Sequence, residues 1–503
     1  MELIPAVAAW ALSSTCQSMV ARDWLGGICP RRIDAEELSL RLSSSARVYL
    51  PGSDGFTRAT TRWSVLDVPG VKVAAVPGTE NDVAEIVRYA NKQNVPYIAV
   101  SGGHGAITTV GKMQEGIEIW MNQLSNVEIS DDGLTAKIGG GALSKSVTDT
   151  LWSAGKQTVT GGCECTSILG PGLGGGHGFL QARYGLIGDQ FVSMNVVLAD
   201  GTIQIIDKNS DLWWAMNGAG HNFGIVTSIT SKIHDIQHPN WAYESFIFTG
   251  DKVEGLYDKI NTHLLKNGTQ PVDVMNYSFF FNNPDVDPTK PLIIIFIFQE
   301  GATAVDATYT ASFHDLGPIS TEAAEGSYLD LPVWTGNGNE SPPCQKAGLK
   351  NIRFPIDIES YHIPSQRKAY DLFASATQEI PAFNNSLFLK GGLTYSVQGV
   401  QSIPSESTAY PFRGDNLLLA PFITYAPGEP DLDKKAAELG HALRNIIHEG
   451  TGRSEMHTYV NYAYGDEAKE NWYGHEKWRQ EKLLTLKNKY DPRRKFSFYA
   501  PIA

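Results

Sequence analysis

Eight glycines fall between positions 161 and 178, inside the segment VTGGCECTSILGPGLGGGHGFLQARYGL at residues 159–186. Glycine loses more backbone freedom on folding than any other residue, so a run this dense needs a return in positive φ angles or in very close backbone approach. Consecutive exposed amide N–H groups also form a concave seat for an anion. A shorter glycine turn, SGGHG at 101–105, follows the apolar run VPYIAV and carries one ionisable ring, His104. Two such loops could grip the two phosphates of a dinucleotide, and tight turns or close packing are the alternative for either. Gly170, Gly172 and Gly175 satisfy G-x-G-x-x-G. A Rossmann site, however, needs that pattern between the first strand and helix of a βαβ unit, with an acidic residue about 20 positions on. Here it sits among strands that read as antiparallel, so a Rossmann domain is only the runner-up.

The flanking sequence places these loops. VKVAAVPG reads as a strand, and TENDVAEIVRYANKQN as a helix with Thr79 and Asp82 spaced as a capping box and Val83, Ile86, Val87 and Ala90 on one face. VPYIAVSGG is a second strand, which puts His104 in a loop at a strand's carboxyl end, a common position for ligand-binding residues. Strands continue through GIEIWM, NVEIS and TAKIGGG, then a helix over ALSKSVTDTLWSAG. Beyond the long glycine segment come FVSMNVVLADGTIQIID, with a turn at Asp200-Gly201, and FGIVTSITSKI. From about 236 aromatic strands such as YESFIFTG, NYSFFFNN and LIIIFIFQEG alternate with polar helices and Pro-rich loops, as in an antiparallel sheet with helices on one side. The chain then returns to motif density with YVNYAYGD and KYDPRRKF.

Composition removes several function classes. Hydrophobic residues at 42% against 19% charged match a folded protein, and 503 residues exceed one ordinary core. A net charge of −13 with no dense Lys/Arg run argues against nucleic acid as a partner. The most apolar stretch, PLIIIFIF at 291–298, is far short of the roughly 20 residues that cross a bilayer and reads as a buried strand. Residues 1–21 resemble a signal peptide in their apolar run from Leu3 to Leu12, but Glu2 stands where a positive charge belongs, so secreted and cytoplasmic locations both stay open. Five cysteines (16, 29, 163, 165 and 344) are too few for a disulfide framework in a chain this long. The C-x-C pair at 163–165 has no second Cys/His pair near it at ligand spacing, so no metal is expected.

Taken together, SGGHG, GGCECTSILGPGLGGGHGFLQARYGL, LADGTI, DLWWAMNGAGHNFGIVTSI, YVNYAYGD and KYDPRRKF resemble the berberine-bridge-enzyme-like branch of the FAD-linked oxidases, its fungal members most of all. The resemblance covers about residues 60–235 and 450–503. It implies the α+β, two-domain fold of the vanillyl-alcohol oxidase/p-cresol methylhydroxylase type. The expected division is an N-terminal segment to 65, an FAD-binding domain at 66–236, a substrate domain on an antiparallel sheet at 237–449, and a segment at 450–503 returning to the FAD domain. It further implies that His104 bonds covalently to the flavin, where Gly102, Gly103 and Gly105 leave room for the ring, and that Cys163, eleven residues before Gly174, is the candidate for a second link. Ser101, Gly170, Gly172, Gly174, Gly175, Gly176, Gly178 and Asn461 join the expected FAD-binding set, and His177 is expected to be supporting. Many relatives have a basic residue where this chain has Val100, which throws pyrophosphate binding onto backbone N–H groups.

For catalysis the resemblance points to Tyr462 as the base that takes a substrate O–H or N–H proton while a hydride leaves for the flavin. Read as a strand, YVNYAYGD would turn Tyr462 and Tyr464 to one face and Asn461 to the other, with Tyr459 structural. A phenol is a weak base at neutral pH and needs a nearby cation or the flavin to hold its anion. The expected activity is an FAD-dependent oxidase or oxidative cyclase on a small natural product, a secondary metabolite, with O2 reoxidising the flavin to give hydrogen peroxide. A secreted oligosaccharide oxidase, and a flavoprotein that guides a non-redox cyclisation, are the other two readings. A monomer or weak homodimer is expected.

Overall fold

The computed structural model describes residues 33–266, 268–394 and 396–503. The signal-peptide reading, Cys16 and Cys29 lie outside them. Among the described residues, no helix is long and apolar enough to cross a membrane.

The capping box forms as the spacing predicts. Thr79 and Asp82 bond reciprocally at the start of helix Glu80–Gln93, whose Val83, Ile86, Val87 and Ala90 are buried. Strand Val71–Val76 precedes this helix and strand Tyr97–Val100 follows it, but the two are not neighbours, because Gly116–Trp120 lies between them, parallel to both. Arg47–Tyr49 closes this four-stranded sheet antiparallel at the Val71–Val76 edge. A second sheet is antiparallel throughout, in the order Val127–Ile129, Thr135–Gly139, Ile225–Lys232, Phe191–Val197, Ile203–Asp207. Its last two strands are joined through Gly201 at φ +85°, the turn predicted at Asp200-Gly201.

The third sheet has eight antiparallel strands. From one edge they run Ser320–Ser327, Asn240–Phe248, Leu292–Glu300, Val274–Phe281, Leu387–Thr394, Leu417–Tyr425 and Lys350–Arg353, with Ile356–Ile358 also on Leu417–Tyr425. Period-2 alternation sorts its apolar residues between two cores. Phe246, Phe248, Phe280, Ile293, Ile295 and Ile297 face helices Val253–Lys259, Ile363–Glu379 and Pro430–Thr451. Trp241, Tyr243, Met275, Tyr277 and Phe298 face the other way and join the core of the five-stranded sheet. That second core also takes in Val460, Trp472, Tyr473, Leu483 and Ile502, so the late segment packs beside the glycine-rich one.

Two features depart from the sequence reading. Val460–Tyr462 is a 3-10 turn and not a strand, so strict alternation does not apply to YVNYAYGD. Tyr464 stacks on Phe354 at 4.7 Å in the helix-covered core, away from Tyr462. The G-x-G-x-x-G pattern begins in the short helix Leu169–Leu173 and ends just beyond it at Gly175, beside an antiparallel sheet, which removes the Rossmann reading.

Candidate active site

One cavity of about 970 Å³ runs between the large sheet's aromatic face and the two smaller sheets. That volume is at the upper end of the range for small-molecule and cofactor sites. Ser101, Gly102, Gly103, His104 and Gly105 line it, as do Cys163, Gly170, Asn461 and Tyr462.

The two glycine loops do different work. In the first, the backbone N–H groups of Gly102, Gly103, His104 and Gly105 have no acceptor among the described residues, which makes them an open cradle for an anion. In the second, Gly161, Gly162 and Gly170 line the cavity, whereas Gly172, Gly174, Gly175, Gly176 and Gly178 stand behind that wall. Close packing accounts for them. A Cβ at Gly178 would run into the Thr160 carbonyl oxygen, and one at Gly174 into the Asn461 amide. Asn461 is held there by its Nδ2, which donates to Pro171 O at 2.9 Å and to the Tyr459 hydroxyl at 2.7 Å. The second loop thus carries the turn that presents Tyr462.

His104 is enclosed. Trp63 stacks near its ring, with centroids 6.0 Å apart and planes 21° apart. Burial, and then the charges of Lys346 and Arg353, push the imidazole down to about 3, so it is neutral at physiological pH. Its Nε2 is 3.3 Å from Cys165 Sγ. Cys165 is bonded to Cys344 in a disulfide, which spacing alone did not reveal because the partners are 179 residues apart. A disulfide sulfur can only accept, so the ring proton belongs on Nε2 and Nδ1 keeps its lone pair. Cys163 keeps its thiol, 3.4 Å from Cys165 Sγ and 3.6 Å from Cys344 Sγ, and burial pushes that thiol up. Along the sequence no further Cys/His pair lies near the C-x-C pair at 163–165. In space Cys344 and His104 do, although the disulfide occupies two of the sulfurs.

Several residues of the site were not foreseen. Val100 brings no charge to the first loop, but Arg62 and Lys346 do: Arg62 pairs with buried Glu118 at 2.5 Å, and Lys346 Nζ donates to Thr61 O at 3.3 Å beside Gly103. Arg353 sets a cation beside Tyr462, its guanidinium carbon 4.2 Å from the centre of the Tyr462 ring and 4.2 Å from that of the Trp63 ring. Trp63 in turn stacks on Phe422 at 5.5 Å. Around Tyr462, burial pushes the phenols of Tyr277, Tyr459 and Tyr499 up, so they remain protonated. His177 has Nδ1 2.9 Å from Gln181 Oε1 and Nε2 3.3 Å from the Tyr410 hydroxyl.

His177 and His221 line the cavity, and burial lowers both to about 4. The unfolded chain protonates these rings near pH 6.5 while the folded chain does not until about pH 4. Their contribution is therefore fully present above pH 6.5 and is lost as pH falls towards 4. The urea unfolding midpoint is expected to drop between pH 7 and pH 5, and more shallowly in the H177Q/H221Q variant.

The residues present fit a dinucleotide. The open amides of the first loop and the buried Arg62 Nε, which has no partner among the described residues, call for anionic oxygens. Comparison with known proteins agrees. A family described as FAD binding domain matches residues 71–207. The chain is 56% identical over 503 residues to the FAD-linked oxidoreductase chyH of Penicillium rubens and 50% identical over 515 aligned positions to chry5 of Gibberella zeae, in each case across all of both chains. Among solved structures, Physcomitrella patens BBE-like 1 superposes with a TM-score of 0.77 at 19% identity, over 94% of this chain and all of that one. Xylooligosaccharide oxidase from Myceliophthora thermophila gives 0.77 at 20%, over 93% and 98%. The open cradle, the aromatic cavity and these full-length relatives together make the chain a berberine-bridge-enzyme-like FAD-linked oxidoreductase of the vanillyl-alcohol oxidase/p-cresol methylhydroxylase family.

Proposed function

We propose that this oxidoreductase is an oxidase or oxidative cyclase for a small natural product, with FAD tethered through His104 and with Tyr462 as the base. The observation that carries the reading is the grouping of a neutral imidazole, a tyrosine and an unpaired guanidinium at one end of the cavity. FAD held in this cavity would supply the hydride acceptor for the substrate, with O2 as the final electron acceptor. His104 offers its Nδ1 lone pair for the covalent link, with Nε2 engaged by Cys165. The Tyr462 hydroxyl has no partner among the described residues, which leaves it free to meet a substrate O–H or N–H. The Arg353 guanidinium carbon lies 4.2 Å from the centre of the Tyr462 ring, so a cation stands against the face of the proposed base. The walls near it, Trp63, Tyr277, Phe279 and Phe422, suit a flat, largely apolar molecule better than a sugar chain.

Because Cys165 is taken by Cys344, Cys163 is the thiol left for a second link. Acid precipitation of the purified protein is expected to leave the yellow colour in the pellet, with flavin mass on the His104 and Cys163 peptides. The C163S variant should retain the colour through His104 alone, whereas H104A/C163S should release it into the supernatant. Colour released by the parent protein would remove the tether. Peroxide in stoichiometric yield with product separates the oxidase from a non-redox cyclase, and turnover of oligosaccharides would favour a carbohydrate oxidase.

A further inference from the structure

Among the described residues the buried Arg62 is paired with Glu118, Arg413 with Asp189, Arg444 with Glu467 and Arg479 with Glu476, and the partly buried Arg183 with Glu300, all at 2.5–3.2 Å, whereas Arg353 is differently placed. Arg353 lies half-buried on the cavity wall and, among the described residues, has neither a carboxylate partner nor a hydrogen-bond acceptor. Its neighbours are the faces of Trp63 and Tyr462. Ring faces attract a cation but engage none of the guanidinium's five N–H donors. The edge of this group therefore faces the cavity with no protein acceptor among the described residues, free to meet an acceptor that arrives there. The wall itself offers little competition, since among the described residues its only carboxylate is Glu340, an exposed residue.

We propose that Arg353 is the anchor for an anionic group, a carboxylate, borne by a flat aromatic substrate. The proposal rests on the reading of this cavity as an oxidase site and adds the substrate's chemical class. Strand pairing fixes the anchor: Arg353 stands opposite Phe422, whose ring stacks on Trp63, so an aromatic surface lies directly beside the cation. A planar acid can then lay its ring on that surface while the guanidinium takes both carboxylate oxygens in its fork. The placement next to Tyr462 has a chemical use. A docked carboxylate draws part of the guanidinium's attraction away from the phenolate, and the transfer of a substrate proton to Tyr462 restores it, so binding the correct anion favours the proton's movement.

The reduced flavin ring is the other anion this cation could serve, and the test separates the two. Flavin-loaded protein is titrated calorimetrically with 2-naphthoate and with 2-naphthamide, its neutral counterpart, for the parent, R353Q and R353K. Hydrogen bonds to charged groups contribute about 1.5–3 kcal/mol, which corresponds to roughly 10–150-fold in affinity. The parent is expected to prefer the acid by at least about tenfold. R353Q should lose that preference while holding the amide as before, and R353K should recover part of it. Equal binding of acid and amide by the parent, or equal weakening of both in R353Q, overturns the proposal. So does a shift in flavin reduction potential in R353Q with the acid preference intact, which would assign the charge to the cofactor. The amide arm reports folding of each variant, and the visible spectrum shows independently whether flavin is present, so a failed oxidase reading is not mistaken for a failed anchor.

Discussion

Replacing Tyr462 by Phe is expected to slow flavin reduction by substrate by about 10²–10⁴-fold, the usual contribution of a positioned general base. The substitution removes one oxygen and little volume. The ring remains over the Arg353 guanidinium and edge-on to Tyr459 at 5.1 Å, so packing at the turn survives. Flavin content should be unchanged, because the groups that would hold the cofactor lie on the first glycine loop and around Cys163. Stopped-flow reduction under anaerobic conditions measures the effect directly. A reduction rate within a few-fold of the parent would remove Tyr462 as the base and leave it a packed aromatic.

The second large effect concerns the end of the chain. Lys487 and Asp491 form an ion pair at 2.7 Å in which both side chains are fully buried. The ammonium also donates to Asn222 O at 2.7 Å and Phe496 O at 2.8 Å, while Asp491 accepts from the amides of Lys495 and Phe496. Burial lowers the lysine's affinity for its proton and the aspartate opposes that, so the pair stays charged only while it stays together. The K487M variant leaves a carboxylate in the interior without a counterion, a loss of about 3–5 kcal/mol. Its urea midpoint should fall accordingly, and K487M/D491N should recover part of the loss. An unchanged midpoint in K487M would show that this pair does not hold the segment in place.

The contrast between what could and could not be read in the sequence follows from distance along the chain. Local signals translated directly: the capping box at Thr79, the turn at Gly201 and the aromatic alternation of the late strands all depend on neighbours within a few residues. The shape of YVNYAYGD did not, because its aromatic spacing imitates a strand while Asn461 bonds back to Pro171, 290 residues away, and pins it as a turn. Glycine density likewise could not tell an open amide cradle from tight packing, since the difference lies in what approaches each Cα. Arg353 and Trp63 sit in segments with no motif, and only strand pairing and the fold bring them to Tyr462. The bond between Cys165 and Cys344 is of the same kind.

The docking of residues 460–502 into the core of the five-stranded sheet has a consequence for biosynthesis. That core is begun by strands that leave the ribosome early, yet it is completed by Trp472, Leu483 and Ile502, which leave it after the whole eight-stranded sheet has been made. Domains generally fold as they emerge. Here the later sheet can settle around its own helices while the earlier half still waits for its final wall, so nascent chains of this protein spend their synthesis with the nucleotide-binding half unfinished.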